Sequence, residues 1–531
     1  MTQKELAQYG AVTVSVEDEA APLTAVAAPV GEDEGESWVK AHDVELAESG
    51  GAQPRFRDVT FAVLFYAHLA AMIYVGVTQG TWGEEDASTP SSDDTTHLTR
   101  VVCYLVIPSI AISFGLAYLL TAAVVPSFPE TAVKASVIMS LVWTGVVTLL
   151  VIISAPGLWS ILVMGAFFAL MCWYVKKVWR LIPFAAVNLK AAMKGMAANW
   201  GMYLVAICFT TVLGVWVVFW MYAATGVFLK EEAQDVAEGE PSGQVHWGIL
   251  FLLLVSLYWT IMLLLNMIQT TVAGVMGTWC LAKEDAQSCC SPAVTSSLYR
   301  TCTYSFGSVC LGSLLEAIIK ALRVMAEMAK NQARNSDDEC SGGAAILFCI
   351  LECILRLMED IIEYFNQWAY VFVGIYGYSY IESGRKVMEL FRARGWTALI
   401  TDDLVGYVLN VTAFTVAIFT GLIAVGIEAG ASSGMGDGTS YLFGVIPEDG
   451  LSAGWSAFLV GSLLGLFIAC VMTNVIKGAV NTVVVCYADS PAMLEQNHPA
   501  LTYEMATSWV AVFPDCGVRV PPREPVATVV V

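Results

Sequence analysis

Charge is what this chain has least of: only 14% of its 531 residues are charged, and just 5 are histidine. A water-exposed surface carries far more charge than that, so with 57% hydrophobic residues the surplus apolar side chains must face lipid. The signatures of several chemistries are missing as well. There is no GxxxxGK[ST] loop to cradle phosphates and no HExxH pair to hold a catalytic metal, so neither cofactor nor metal is expected. A dense cluster of intramembrane aspartates is also absent. His68 is the one histidine inside an apolar run and reads as a hydrogen-bonded packing residue. The stretch Gly430, Ala431, Ser432, Ser433, Gly434 matches GxSxG, but it lies in a Gly/Ser-rich loop rather than at a strand-to-helix elbow. The expectation is a protein that is not an enzyme and has no nucleic-acid partner. Residues 1 to 58 also lack a basic region followed by a short apolar one, so no signal peptide is expected.

What the chain does have is one apolar run after another. A hydrocarbon core about 30 Å thick takes roughly 20 apolar residues per helix. Such runs fall near 61 to 77, 101 to 122, 133 to 154, 158 to 175, 201 to 229, 247 to 281, 299 to 325, 366 to 383, 404 to 427 and 455 to 476. The pattern predicts an all-α integral membrane protein with about ten transmembrane helices. The run 247 to 281 is longer than a span needs, which predicts a tilt or a break. Between runs seven and eight, residues 345 to 363 alternate apolar and charged positions at helical spacing, the pattern of an amphipathic helix lying at the interface. Ahead of all these is an acidic tail, with 12 Asp or Glu against 4 Lys or Arg in residues 1 to 58, whose composition reads as disordered. The division is a tail over 1–57, a spanning domain over 58–490 and a cytoplasmic C-terminal tail over 491–531. Most of the cysteines lie in apolar runs and read as small buried hydrophobes, whereas Cys340, Cys349 and Cys353 cluster where one disulfide could form.

Cytoplasmic loops carry the excess of Lys and Arg. Placing both termini inside puts 19 of the 26 basic residues on the cytoplasmic side; the main exception is the region of Lys320, Arg323, Lys330, Arg334 and Arg356. The exterior loops then hold 14 carboxylates, among them Glu84, Asp93, Glu231, Asp235, Glu428 and Asp437, against the single Lys230. Such a surface concentrates cations. The positive-inside rule in reverse would produce the same loops, so both readings stay open.

Polar and aromatic residues at membrane depth persist where they pack against something polar. In run six, Trp259 and Asn266 share one helical face, and Trp279 follows two glycines. Polar packing between helices and a substrate site are both compatible with that face. Run seven brings Tyr304 and then Glu316, with Lys320 four residues on as an ion-pair partner. Run eight carries Tyr370, Gly374 and Tyr378 along one stripe. Aromatic rings at span ends usually form an interfacial belt, but deeper ones can cage a quaternary ammonium, which offers no N–H and is held by ring quadrupoles. The candidate substrate-binding residues are therefore Trp259, Asn266, Trp279, Tyr304, Glu316, Tyr370 and Tyr378.

Several stretches resemble the choline transporter-like family, including its fungal branch, in the same order. They are RFRDVTFAVLF at 55 to 65, YWTIMLLLNMIQTTVAGVMGTW at 258 to 279, SPAVTSSLYRTCTYSFGSVCLGSLLEAIIKALR at 291 to 323, CILRLMEDIIEYFNQWAYVFVGIYGYSYIESGRKVMELF at 353 to 391 and VVVCYADSPAMLEQNHPAL at 483 to 501. The resemblance implies a ten-span carrier of choline or a related ethanolamine-like cation, with the substrate path among the later helices. The expected setting is a multi-pass plasma-membrane protein with cytoplasmic termini, contacting lipid, independent of ATP and driven by a gradient or the membrane potential, its coupled ion unassigned. A non-transporting membrane organiser or sensor is the alternative.

Overall fold

The computed structural model describes residues 55–81, 102–154, 157–238, 246–289, 291–335, 341–394, 397–434, 453–512 and 520. Among the described residues every regular element is helical. Most of the acidic tail, the centres of the acidic loops and Cys340 lie outside them.

The helices are α1 (Val59–Gln79), α2 (Ile107–Leu119, flanked by π-helical turns), α3 (Pro129–Ser154), α4 (Leu158–Val178), α5 (Ile182–Ala198), α6 (Gly201–Glu238) and α7 (Trp247–Leu281). They continue as α8 (Pro292–Cys302), α9 (Phe306–Asn335), α10 (Ser341–Tyr376), α11 (Tyr380–Arg394), α12 (Thr397–Gly434) and α13 (Ala453–Asp489). Residues Phe56–Asp489 form one compact unit. Ser490 onward belongs to a second unit, whose helices α14 (Pro491–Asn497) and α15 (Pro499–Val512) are joined at His498.

Eight helical stretches in the main unit are long and apolar enough to cross a membrane. The chain is therefore an all-helical, multi-pass membrane protein, and the long helices α9 and α10 stand outside those eight. Both carry charge that a hydropathy window rejects, and packing explains why they tolerate it. They run side by side with their charges facing each other: Lys320 Nζ lies 2.9 Å from Glu359, 3.3 Å from Glu316 and 3.7 Å from Glu363. Arg323 pairs with Glu359, and Lys330 pairs with Glu352. Ile346, Leu347, Ile350, Ile354, Leu357 and Ile361 point outward from α10 instead. A charge at membrane depth costs about 2.5 to 3.5 kcal/mol on insertion scales, and pairing across the seam offsets that cost. The segment 345–363 is not a separate helix; it is the first half of α10, continuous with the residues expected to form run eight.

Two other expectations change. Runs seven and eight are each interrupted: Thr303–Ser305 separates α8 from α9, and Gly377–Ser379 separates α10 from α11. Gly377 has φ +70, the left-handed conformation that ends a helix without strain in glycine, and its N–H bonds back to the Val373 carbonyl at 3.0 Å. By contrast α7 is unbroken over 35 residues, about 52 Å at 1.5 Å per residue. Its glycines serve close packing: a Cβ on Gly274 would stand 2.7 Å from Ser297 Oγ and 3.0 Å from the Gly374 carbonyl. That surface lets α7 sit at the centre, touching α5, α6, α8, α9, α10 and α13. Residues 430–434 form the last turn of α12 rather than a loop. Cys349 and Cys353 are both free thiols.

Candidate functional site

The polar residues of α7, α9 and α10 meet inside the bundle because each helix turns an amphipathic face inward. Asn266 on α7 is 8% exposed and donates from Nδ2 to Ser313 Oγ at 3.0 Å and to the Tyr370 hydroxyl at 3.4 Å. The Tyr370 ring is fully buried, and its hydroxyl donates to the Val309 carbonyl at 3.4 Å. One helical turn before Tyr370, Asn366 donates to Glu316 Oε2 at 3.2 Å and to the Gly312 carbonyl at 3.3 Å. Tyr380, the first residue of α11, returns its hydroxyl to Asn366 Oδ1 at 2.5 Å. Gly312 creates the room, since a side chain there would collide with the Tyr370 hydroxyl and the Tyr380 ring.

Glu316 is the carboxylate at the heart of this cluster, 4% exposed and held between Asn366 and Lys320. The sequence-level expectation that Lys320 is its partner holds, but the ammonium is shared with Glu359 and Glu363. Trp259 stands beside the cluster: its indole N–H donates to the Cys310 carbonyl at 3.1 Å, and His68 stacks on the ring at 5.1 Å. His68 in turn bonds Ser256 Oγ at 2.7 Å, a packing role. Phe65 packs edge-on to Trp259 at 5.1 Å.

The structure thus brings together four of the seven candidates, Trp259, Asn266, Glu316 and Tyr370, in one apolar-walled region with Phe65, Phe306 and Tyr380. It does not bring the other three there. Trp279 is buried 13 residues beyond Asn266, about 20 Å along α7, packed near Gly195. Tyr304 lies in the α8–α9 interruption, against Phe56 at 5.0 Å and Tyr299 at 5.9 Å. Tyr378 lies in the α10–α11 interruption, where Lys386 covers its ring at 5.2 Å. The stripe of Tyr370, Gly374 and Tyr378 is cut because Gly377 ends the helix between them.

Ser313, Asn366 and Tyr380 belong to the cluster and were not among the candidates. Asn366 had a signal, since it precedes Tyr370 by four residues and shares its helical face. Tyr380 had none, because its position depends on the interruption. No metal-binding group of three or more His, Cys, Asp or Glu occurs among the described residues.

A polar cluster with one buried carboxylate beside aromatic rings can hold a small organic cation and hydrogen-bond a hydroxyl on it. Comparison with known proteins identifies the family. A family model described as plasma-membrane choline transporter matches residues 159–492, a range that contains the whole Asn266–Glu316–Tyr370 cluster. Three fungal relatives, each called Protein PNS1, are similar over most of the chain. The protein from Gibberella zeae is 26% identical over 510 residues, covering 91% of this chain and 88% of the relative. That from Neurospora crassa is 28% identical over 482 residues, 87% of this chain and 81% of the relative. That from Mycosarcoma maydis is 26% identical over 465 residues, 85% and 83%. With the family match spanning the central helices and the relatives extending it toward α1, the chain belongs to the plasma-membrane choline transporter family, a family of membrane transporters.

Proposed function

We propose that this protein carries choline, or a related ethanolamine-like cation, across the plasma membrane without ATP. The observation that carries the reading is Glu316, a buried carboxylate that accepts from Asn366, whose bonds join it to the region of Tyr370 and Tyr380, and that is satisfied in part by a lysine that two other carboxylates share. An incoming ammonium competes with Lys320 for Glu316, while Lys320 keeps Glu359 and Glu363. In this reading Asn266 offers its amide to the substrate hydroxyl, and the rings of Tyr370 and Trp259 face the methyl groups. Trp279, Tyr304 and Tyr378 have no direct role in this reading. The distribution of Lys and Arg supports cytoplasmic termini in this reading. A monovalent cation entering a negative cell gains about 2.3 kcal/mol per 100 mV, so the membrane potential is a sufficient drive.

The test is uptake of radiolabelled choline into liposomes holding the purified protein, with Glu316→Gln and Trp259→Ala beside it and ethanolamine as competitor. Saturable uptake that falls roughly tenfold or more in Glu316→Gln, as loss of a charged contact predicts, is the expected result. Folded protein that moves no choline above empty liposomes would sink the reading and favour a non-transporting organiser or sensor.

A further inference from the structure

The short segment ahead of α1 is tied to both helix interruptions through one side chain. Asp58 is the non-glycine residue with positive φ, 50°, among those described, a conformation that surrounding contacts must hold in place. Its carboxylate does not cap α1. Instead Oδ2 accepts from Ser308 Oγ at 2.6 Å and from the backbone N–H of Tyr380 at 3.1 Å. Those donors lie in the first turns of α9 and α11, directly after the two interruptions. The Arg57 N–H donates to the carbonyl of Tyr304, inside the first interruption, at 3.0 Å. Gly307 lets the strands of backbone meet, since a Cβ there would collide with the carbonyl oxygens of Arg57 and Asp58.

Tyr380 carries this contact inward. Its N–H is held by Asp58 and its hydroxyl donates to Asn366, which donates to Glu316. One continuous line of hydrogen-bonded groups therefore runs from the strained Asp58 to the buried Glu316. Arg57, Arg300, Arg385 and Lys386 lie close in sequence to these strapped segments. A carboxylate at the starts of two helices complements both helix dipoles, and at α11 it also satisfies the Tyr380 N–H. Interrupted helices are natural hinges, because the halves can swing without breaking an intact ladder.

We infer that Asp58 is a positioning residue and a latch, which fastens the first turns of α9 and α11 to the start of α1 and closes the Glu316 cluster toward that end of the bundle. Release of the Asp58 contacts frees Tyr380 and, through it, Asn366. The inference rests on the proposed function only in identifying that cluster as the substrate site.

Two native thiols report on it without any substrate. Cys310 lies in α9 two residues beyond Ser308, and Cys280 lies near the end of α7; both are 0% exposed. The experiment treats purified full-length protein with N-ethylmaleimide and follows each thiol by peptide mass spectrometry in wild type, Asp58→Ala and Ser308→Ala. Loss of a charged hydrogen bond from the latched state predicts Cys310 modification roughly tenfold faster or more in Asp58→Ala, with a smaller rise in Ser308→Ala and Cys280 unchanged. An unchanged Cys310 rate in Asp58→Ala would overturn the latch. A parallel rise at Cys280 and Cys310 would overturn it too, by showing that Asp58 merely stabilises the bundle. If choline proves not to be the substrate, the labelling result stands by itself.

Discussion

The pair α12 and α13 and the pair α9 and α10 solve the same packing problem in opposite ways. Between α12 and α13 the contact is made by small residues. A Cβ on Gly461 would come 2.5 Å from the Ala424 methyl, and one on Gly465 would come 2.9 Å from Thr420. Thr420 of α12 also meets Ser113 of α2 at 3.2 Å. Between α9 and α10 the contact is a ladder of ion pairs from Glu316 to Lys330 and Glu352, with the apolar side chains of α10 turned outward. Close backbone approach gives rigid van der Waals packing, although buried polar groups such as Glu428 and Ser456 remain on these two helices. A charged seam costs more to bury, yet it provides groups whose partners can be exchanged. The candidate site sits on the second kind of surface, where α7 lays its amphipathic face against the seam.

Substitutions at the two interfaces should separate these roles. The largest effect is expected from Lys320→Ala, which leaves Glu316 and Glu359 short of a shared partner at membrane depth. Breaking a buried pair from one side costs about 3 to 5 kcal/mol, read as a lower unfolding midpoint in detergent. Retention of the wild-type midpoint would mean that the seam is not desolvated. A smaller loss, about 1 to 3 kcal/mol, is expected for Gly461→Leu from overpacking against Ala424 and Thr420. Because α13 contributes nothing to the cluster, the surviving folded fraction should keep its affinity for choline. Reduced affinity there would tie the two interfaces together. The smallest effect belongs to Glu363→Gln: that side chain is 62% exposed and 3.7 Å from Lys320, so the midpoint should move by less than about 1 kcal/mol in equivalent stability.

The same contrast explains what could be read in the sequence. Hydropathy found the helices whose walls face lipid or small residues, and run 247 to 281 matches α7 from Trp247 to Leu281. It split α10 in two, because a helix that faces an ion-pair partner has the alternation of one lying on a membrane surface. Only the partner helix distinguishes the two. Asn266, Glu316 and Tyr370 stood out as polar groups at depth, and the structure joins them. Tyr378 was drawn into the same stripe by periodicity, but periodicity cannot see that Gly377 adopts a positive φ. Asp58 had no local signal, since its contacts reach 250 residues on to Ser308 and 322 residues on to Tyr380.

The central claim is that Glu316 holds the substrate's positive charge. Equilibrium binding of radiolabelled choline to purified protein tests it directly, comparing wild type with Glu316→Gln and Glu363→Gln. Glu316→Gln keeps a side-chain oxygen for Asn366 and leaves Lys320 with Glu359, so the fold should persist. The account predicts affinity at least roughly tenfold weaker in Glu316→Gln and unchanged in Glu363→Gln. Equal affinity in wild type and in folded Glu316→Gln would contradict it.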